Sequence, residues 1–401
     1  MFNLNPVRRF LILTSDSGFG HRSAANSVAK ALQCEHPEDS NVRIINPITE
    51  RFAPNFLRKS EHDYDRLVLK TPKWYRFTYE ISDSRAASSL VEGTLVLSLY
   101  QSLNQILSEV RPDVVLSTNE LFNAPMGALR RYGRQWLPFH TVVTDLADVH
   151  AMWFNPNPDI FYVANETVKA QAMAYGIAPE RVVVSGIPVD PRFARKASQK
   201  TELRASLGIG ENLATILFVG SKRVSGIYEN LETLENLSLP FQVVVVTGGD
   251  DGLYEKATGR TWNYPVRIEK FVDNMPEWMA ASDILVTKAG GLILSEAMAA
   301  GLPVIMIDNL PGQESGNMRY ILEHHAGSSA EEGSELLDVV RNWLRDERAI
   351  LNVVTENARK IGHPSSAIDI AHMLWQSSFA QQPLKTFSRS VATPPSNRKA
   401  F

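Results

Sequence analysis

The chain has 401 residues, enough for two sizeable domains or three small ones, each able to bury its own core. Hydrophobic residues make up 44% and charged residues 21%, which excludes a disordered chain. Lys plus Arg is 41 against 44 Asp plus Glu, so the net charge of −3 lacks the basic excess of a dedicated nucleic-acid binder.

The first apolar run, Phe10–Thr14, is too short for a signal-peptide core and breaks at Ser15-Asp16-Ser17, so it reads as a buried strand. A glycine turn and the helical stretch Ser23–Gln33 follow. Cys34 is the single cysteine; it excludes an intramolecular disulfide and a cysteine zinc cluster, and fits a reducing, cytoplasmic location. Val42–Asn46 reads as a second strand. Segment 51–80 breaks the rhythm. It holds seven basic residues, Arg58, Lys59, Lys70 and Lys73 among them, against four acidic ones, interleaved with aromatics such as Trp74 and Tyr75. That mixture suits an anionic membrane surface, or a helix that covers the domain or a partner chain. No stretch approaches the ~20 apolar residues of a membrane span. Any work on a membrane is therefore expected from its surface.

An amphipathic helix around Leu95–Val110 leads into strands Asp113–Ser117, Phe139–Thr144, Ile160–Val163 and Val182–Ser185. Strands alternating with helices predict a parallel sheet covered on both faces. The stretch 190–200 reads as a linker, after which the pattern restarts with Thr215–Val219, Phe241–Thr247, Val266–Phe271, Ile284–Thr287 and Val304–Ile307. A helix Pro364–Phe379 and a polar, flexible tail from Gln381 close the chain. The expected division is 1–192, 193–362, a helical segment 363–380 and a tail 381–401.

Four motifs sit where such strands end. Gly18-Phe19-Gly20-His21 follows the first strand. Its glycines let the backbone approach a ligand, and His21 can act as a base or simply cap the helix. Lys288-Ala289-Gly290-Gly291 opens a helix whose N–H groups suit a diphosphate. Glu296, a turn and a half on, can bridge two ribose hydroxyls or stand solvated. Pro311-Gly312-Gln313-Glu314-Ser315-Gly316-Asn317 carries the side chains that read sugar hydroxyls, or forms a polar loop. Asp145 and His150, in Thr144–Phe154 with Trp153, can form an acid–base pair or a structural contact. No third ligand at metal spacing accompanies them. A Walker loop and a Gly-x-Ser-x-Gly elbow are both missing.

Taken together, Gly18–Ala24, Val143–Phe154, Val184–Val189, Phe271–Pro276, Lys288–Gly291 and Pro311–Asn317 resemble the monogalactosyldiacylglycerol synthase and processive diacylglycerol glucosyltransferase family. The chain is more distantly similar to the lipid-linked GlcNAc transferase of peptidoglycan synthesis. The resemblance spans roughly residues 8–375. It implies an α/β fold of the GT-B type, with two doubly wound domains facing a cleft and the last helix crossing back to the first. It also implies an inverting transfer of a hexose from a UDP-sugar to a membrane lipid, diacylglycerol foremost, at the cytoplasmic face and without an obligatory metal. By the same resemblance Phe271, Val272 and Met275 would hold uracil and Glu296 the ribose. Lys288, Gly290 and Gly291 would hold the diphosphate; Gln313, Glu314 and Asn317 would hold the sugar. His21 and Asp145 become the candidates for activating the acceptor hydroxyl. Gly18, Gly20, His150 and Trp153 fall on the acceptor side, and Arg58, Lys59, Trp74 and Tyr75 on the membrane side.

The sequence departs from that family at Ile293, where a hydroxyl residue is usual, and in Gly220–Gly226, which has fewer glycines and adds Lys222 and Arg223. These departures leave room for another acceptor or for a nucleotide-sugar sensor with weak turnover. An epimerase of the same fold is a further alternative.

Overall fold

In the computed structural model, residues 7–16, 19–50, 53–54, 58, 85–133, 136–196, 200–308 and 314–380 are described. Two six-stranded parallel sheets dominate them. The first comprises β1 (Arg8–Leu13), β2 (Ser40–Ile45), β3 (Val114–Ser117), β4 (Phe139–Val142), β5 (Ile160–Val163) and β6 (Val182–Val184). They lie in the order β2-β1-β3-β4-β5-β6. The second comprises β7 (Ala214–Val219), β8 (Phe241–Val246), β9 (Val266–Glu269), β10 (Ile284–Lys288), β11 (Val304–Asp308) and β12 (Gly327–Ser329). Their order is β12-β11-β10-β7-β8-β9.

The central strands are largely apolar and buried because helices cover both faces. Every residue of β3, β4 and β8 is buried. Register sets Phe10 beside Val42 on one side and Val114 on the other. The strand order reverses beside β1 in the first sheet and beside β7 in the second. Ligands bind at such switch points, outside the carboxyl ends of the strands. The Gly-Ser-Ser strand β12 carries no apolar signal, which is why its sequence pattern did not reveal it.

The first helix, Phe19–Glu35, begins earlier than the expected Ser23, so His21 lies in its first turn. Ala24, Ala25, Val28 and Leu32 give it a buried face. The helix Arg85–Val110 likewise extends further back than its Leu95–Val110 half. Leu95, Leu99, Leu103 and Ile106 bury one stripe, whereas Leu90 (77% exposed) and Leu97 (85%) face outward.

The closing helix, Ser366–Ser377, packs Ala367, Ile370, Ala371 and Leu374 into the core of the first sheet, against Phe10, Ala25 and Val28. It therefore returns across the molecule. Ser366 fixes its start: the hydroxyl accepts from Val189 N at 3.1 Å and donates to Ile187 O at 3.0 Å. Gly186 makes this approach possible. Its φ is +79°, and a Cβ there would lie 2.3 Å from that of His363.

The two halves share one hydrophobic cluster, in which Leu146, Trp153, Ile187 and Phe193 meet Trp278, Leu294, Met298 and Tyr320. The stretch read as a linker contains the helix Arg192–Lys196 and is tied down. Arg192 pairs with Asp190 and Glu277 and donates to Asp273 O at 2.9 Å. Among the described residues no helix is long and apolar enough to cross a membrane.

Candidate functional site

At the carboxyl edge of the first sheet, β1 and β3 end side by side and deliver His21 and the turn 117–122. His21 Nδ1 lies 2.8 Å from Thr118 O and 2.9 Å from Thr144 Oγ1. A carbonyl oxygen only accepts, which assigns the ring proton to Nδ1 and leaves the Nε2 lone pair free. Burial holds the imidazole below its ordinary range, opposed by the Asp145 carboxylate and then by Thr118 O. His21 is therefore neutral near pH 7 and able to accept a proton.

Asp145 Oδ2 accepts from the Trp153 indole at 2.9 Å. Burial first, and the Glu120 carboxyl second, push Asp145 up to about 6. Trp153 and His150 are both buried. Trp153 lines the floor beneath His21, with ring centroids 6.1 Å apart, and His150 Nδ1 accepts from Met152 N to cap the turn Ala151–Phe154. Asp145 interacts with both His21 and Glu120, and Glu120 also senses His150.

At the matching edge of the second sheet, β10 ends in Lys288 and the helix Gly291–Ala299 starts from Gly290 with no side-chain cap. Its first-turn N–H groups make the positive end that suits an anion. Lys288 forms an ion pair with the buried Glu314, joining two expected donor residues into one unit. Asn317 donates to Ala289 O at 3.1 Å, and its buried Oδ1 accepts no hydrogen bond. Glu296 is half-buried on the same helix, and its carboxyl has no hydrogen bond to a described residue. Burial, with Asp190 second, pushes its carboxyl up to about 8. Val272 and Met275 pack against the shared core, while Phe271 stands 74% exposed.

The two edges touch. A Cβ on Gly291 would lie 3.4 Å from Thr144 O and 3.7 Å from Leu146 N, so the glycine turn abuts the backbone that carries Asp145. Alongside, Arg319 donates to both oxygens of Asp148 at 2.7 and 2.8 Å. A Cβ on Gly316 would strike that same carboxylate. At Gly316 a larger residue would have to displace the Asp148 carboxylate, whereas at Gly291 the loop 144–148 lies at ordinary contact distance.

The structure therefore brings together His21, Asp145, Lys288, Gly290, Gly291, Glu314 and Asn317. Gly20 lies in the same first helical turn as His21, and Arg58 donates a hydrogen bond to Glu50 O at 2.5 Å. Gly18, Lys59, Trp74, Tyr75 and Gln313 lie outside the described residues. Ile293 packs partly against the shared core, so it contributes no polar group to the glycine turn. In the loop Gly220–Gly226, Ser225 bonds Asp308 through both N and Oγ, at 3.0 and 2.9 Å, and Lys222 is exposed. Motif reading missed Thr118 and Glu120. Their signal was positional: polar residues directly after a fully buried strand, at the ligand-binding edge.

The family model described as monogalactosyldiacylglycerol (MGDG) synthase matches residues 21–189, and that of glycosyl transferases group 1 matches 199–361. The chain is 31% identical to a chloroplastic monogalactosyldiacylglycerol synthase from Spinacia oleracea, over 92% of this chain and 72% of the relative. Among solved structures it is similar to MurG of Acinetobacter baumannii, with a TM-score of 0.58 at 14% identity, covering 92% of this chain and 100% of that one. It is also similar to HepE of Anabaena in complex with UDP, with a TM-score of 0.54 at 15% identity and the same coverage. The architecture is that of the GT-B glycosyltransferases.

Proposed function

The chain belongs to the monogalactosyldiacylglycerol synthase family and is a glycosyltransferase, and on that premise we propose that it moves a hexose from a UDP-sugar to the hydroxyl of a membrane lipid, diacylglycerol foremost, inverting the anomeric carbon. The observation that carries this reading is the contact of Gly291 with the backbone on either side of Asp145. It sets an anion-binding helix end directly against an acid–base centre, the juxtaposition that glycosyl transfer from a nucleoside diphosphate needs.

In this reading UDP lies on the second-sheet edge. The N–H groups of the helix Gly291–Ala299 and Lys288 face the diphosphate, Glu296 the ribose hydroxyls, and Phe271 to Met275 the base. Glu314 and Asn317, with Gln313, face the hexose. Because Ile293 offers no hydroxyl, the phosphate contacts of this turn come from the backbone and Lys288.

The acceptor hydroxyl enters from the His21 side. Its oxygen bonds to the anomeric carbon, the bond from that carbon to the diphosphate oxygen breaks, and the electron pair leaves with UDP. The hydroxyl proton passes to His21 Nε2, and the Asp145 carboxylate offsets the imidazolium charge that forms. The leaving group is stabilised by N–H groups and one ammonium, so the chemistry requires no bound metal.

The outward Leu90 and Leu97 lie on the helix that the basic, aromatic segment precedes in sequence, and this supports an acceptor taken from a membrane surface. Replacing Arg58, Lys59, Lys70 and Lys73 with Gln is expected to weaken binding to anionic vesicles in a salt-dependent way. Unchanged binding would remove the segment from the membrane contact.

The test is UDP release from a panel of UDP-sugars, with and without vesicles containing diacylglycerol. Release that needs one donor and the lipid together supports the reading and identifies the sugar. UDP binding without lipid-stimulated release overturns it in favour of a different acceptor or a sensor.

A further inference from the structure

The turn that orients His21 also presents a carboxyl that the mechanism above does not use. Thr118 grips the histidine twice: its carbonyl meets Nδ1 at 2.8 Å, and its hydroxyl donates to His21 O at 3.1 Å. Two residues on stands Glu120, first residue of the short turn Glu120–Phe122. Its position is fixed. Asn119 donates to Ser15 Oγ at 2.9 Å and accepts from Leu121 N at 3.0 Å, and Ser117 Oγ donates to Asn119 O at 2.7 Å.

Glu120 Oε2 is buried and accepts no hydrogen bond. Asn119 already performs the capping on this turn, so the fold makes no use of that oxygen. The elements packed here bring few other charges. The loop after β4 brings Asp145 and His150, the first helix brings His21, and the helix Arg85–Val110 brings Glu92, which Asn155 Nδ2 holds at 2.8 Å. Asn123, one turn beyond Glu120, reaches Trp153 O at 3.4 Å, and the Trp153 indole in turn holds Asp145. The Glu120 segment and the Asp145 loop are thus bolted together, and the charges that favour ionisation come from histidines, His150 on Glu120 and His21 on Asp145.

We propose that Glu120 is a positioning residue of the acid–base centre: it acts through Asp145, as the second carboxyl of a buried pair that ionises in two steps. The inference rests on the glycosyltransferase reading of His21 and Asp145. Two carboxylates in a dry site cannot both lose their protons as readily as one alone. Burial raises the Glu120 carboxyl, and burial with Glu120 beside it pushes Asp145 up to about 6. Once both are ionised, together they stabilise the imidazolium that forms on His21. Glu120 touches neither sugar nor acceptor. It sets the pH at which the centre becomes active and adds to the field that His21 senses.

The experiment measures hexosyl transfer against pH for wild type, Glu120→Gln, Glu120→Asp and Asp145→Asn. Glu120→Gln keeps the shape and cannot ionise. Its acid limb is expected about one pH unit lower than that of wild type, with a plateau several-fold lower and unchanged UDP affinity. Glu120→Asp, which keeps the charge, should retain the wild-type limb.

An unmoved limb in Glu120→Gln, with Asp145→Asn still inactive, overturns the pair and leaves the mechanism standing. Full activity in Asp145→Asn, with its limb intact, overturns both. Should Glu120→Gln fail to fold, the carbon-13 carboxyl shifts of the wild-type protein decide. Two coupled steps support the pair, and two independent single steps overturn it.

Discussion

The two sheet edges that meet at the cleft are built alike and finished differently. At the first edge the reactive groups are already held: His21 by Thr118 and Thr144, Asp145 by Trp153. At the second edge Lys288 and Glu314 pair with each other, and other groups assigned to the donor are open. The helix at Gly290 has no side-chain cap, Asn317 Oδ1 accepts nothing, and the Glu296 carboxyl has no hydrogen bond to a described residue. A group that must move a proton needs its tautomer and direction set before substrate arrives. A group that must bind needs a vacant partner, and it carries the cost of burial until the ligand comes.

That contrast can be broken most severely at the first edge. Asp145→Asn is expected to lower turnover by about 10²–10⁴ while leaving UDP affinity within about twofold, and His21→Ala should behave in the same way. Turnover in the wild type should rise with pH through about 6, since Asp145 is charged only above that value. Kinetics alongside UDP titration check both points. If either variant lost UDP binding, the edges would not divide as described.

At the second edge, Glu296→Ala should weaken UDP by about 10- to 100-fold, the loss of a charge-assisted bond to the ribose. Unchanged affinity would remove Glu296 from the donor site. Next in size is a stability effect that spares both chemistries. Gly186→Ala puts a side chain at φ +79° and against His363, and is expected to cost about 3 kcal/mol in a denaturant melt. A wild-type melt would show that the closing helix does not need this approach.

The smallest effect sharpens the comparison. The Glu296 carboxyl titrates at about 8 in the fold against 4.5 as its ordinary value. A raised acid costs stability that is absent below 4.5 and grows as the pH rises toward 8. Glu296→Gln should therefore raise the Tm of the ligand-free protein at pH 8, by about 2 °C or more, even as it weakens UDP. A lowered Tm would mean that the carboxylate supports the fold and is not held in reserve for a ligand.

Much of this was legible in the sequence. The strand-turn-helix rhythm gave both parallel sheets, because apolar runs such as Phe241–Val246 can only be buried on two faces. Glycines at 290 and 291 marked the place where backbone approaches closely. Their actual neighbour, the Thr144–Leu146 backbone, could not be read from spacing, because it comes from the other half of the chain. Glu120 escaped for a related reason. Its significance depends on Asp145, 25 positions away, and on burial that no local pattern signals. The helix Phe19–Glu35 starts before Ser23 because Phe19 and Gly20, turn-like in sequence, take helical geometry. Trp153, expected on the acceptor side, is buried and donates its indole N–H to Asp145.

The most direct test of this division of labour is calorimetric titration of UDP into Glu296→Ala and Asp145→Asn side by side with wild type. The account predicts affinity at least tenfold weaker in the first and within about twofold of wild type in the second. Equal affinity in Glu296→Ala, or a comparable loss in Asp145→Asn, would contradict it.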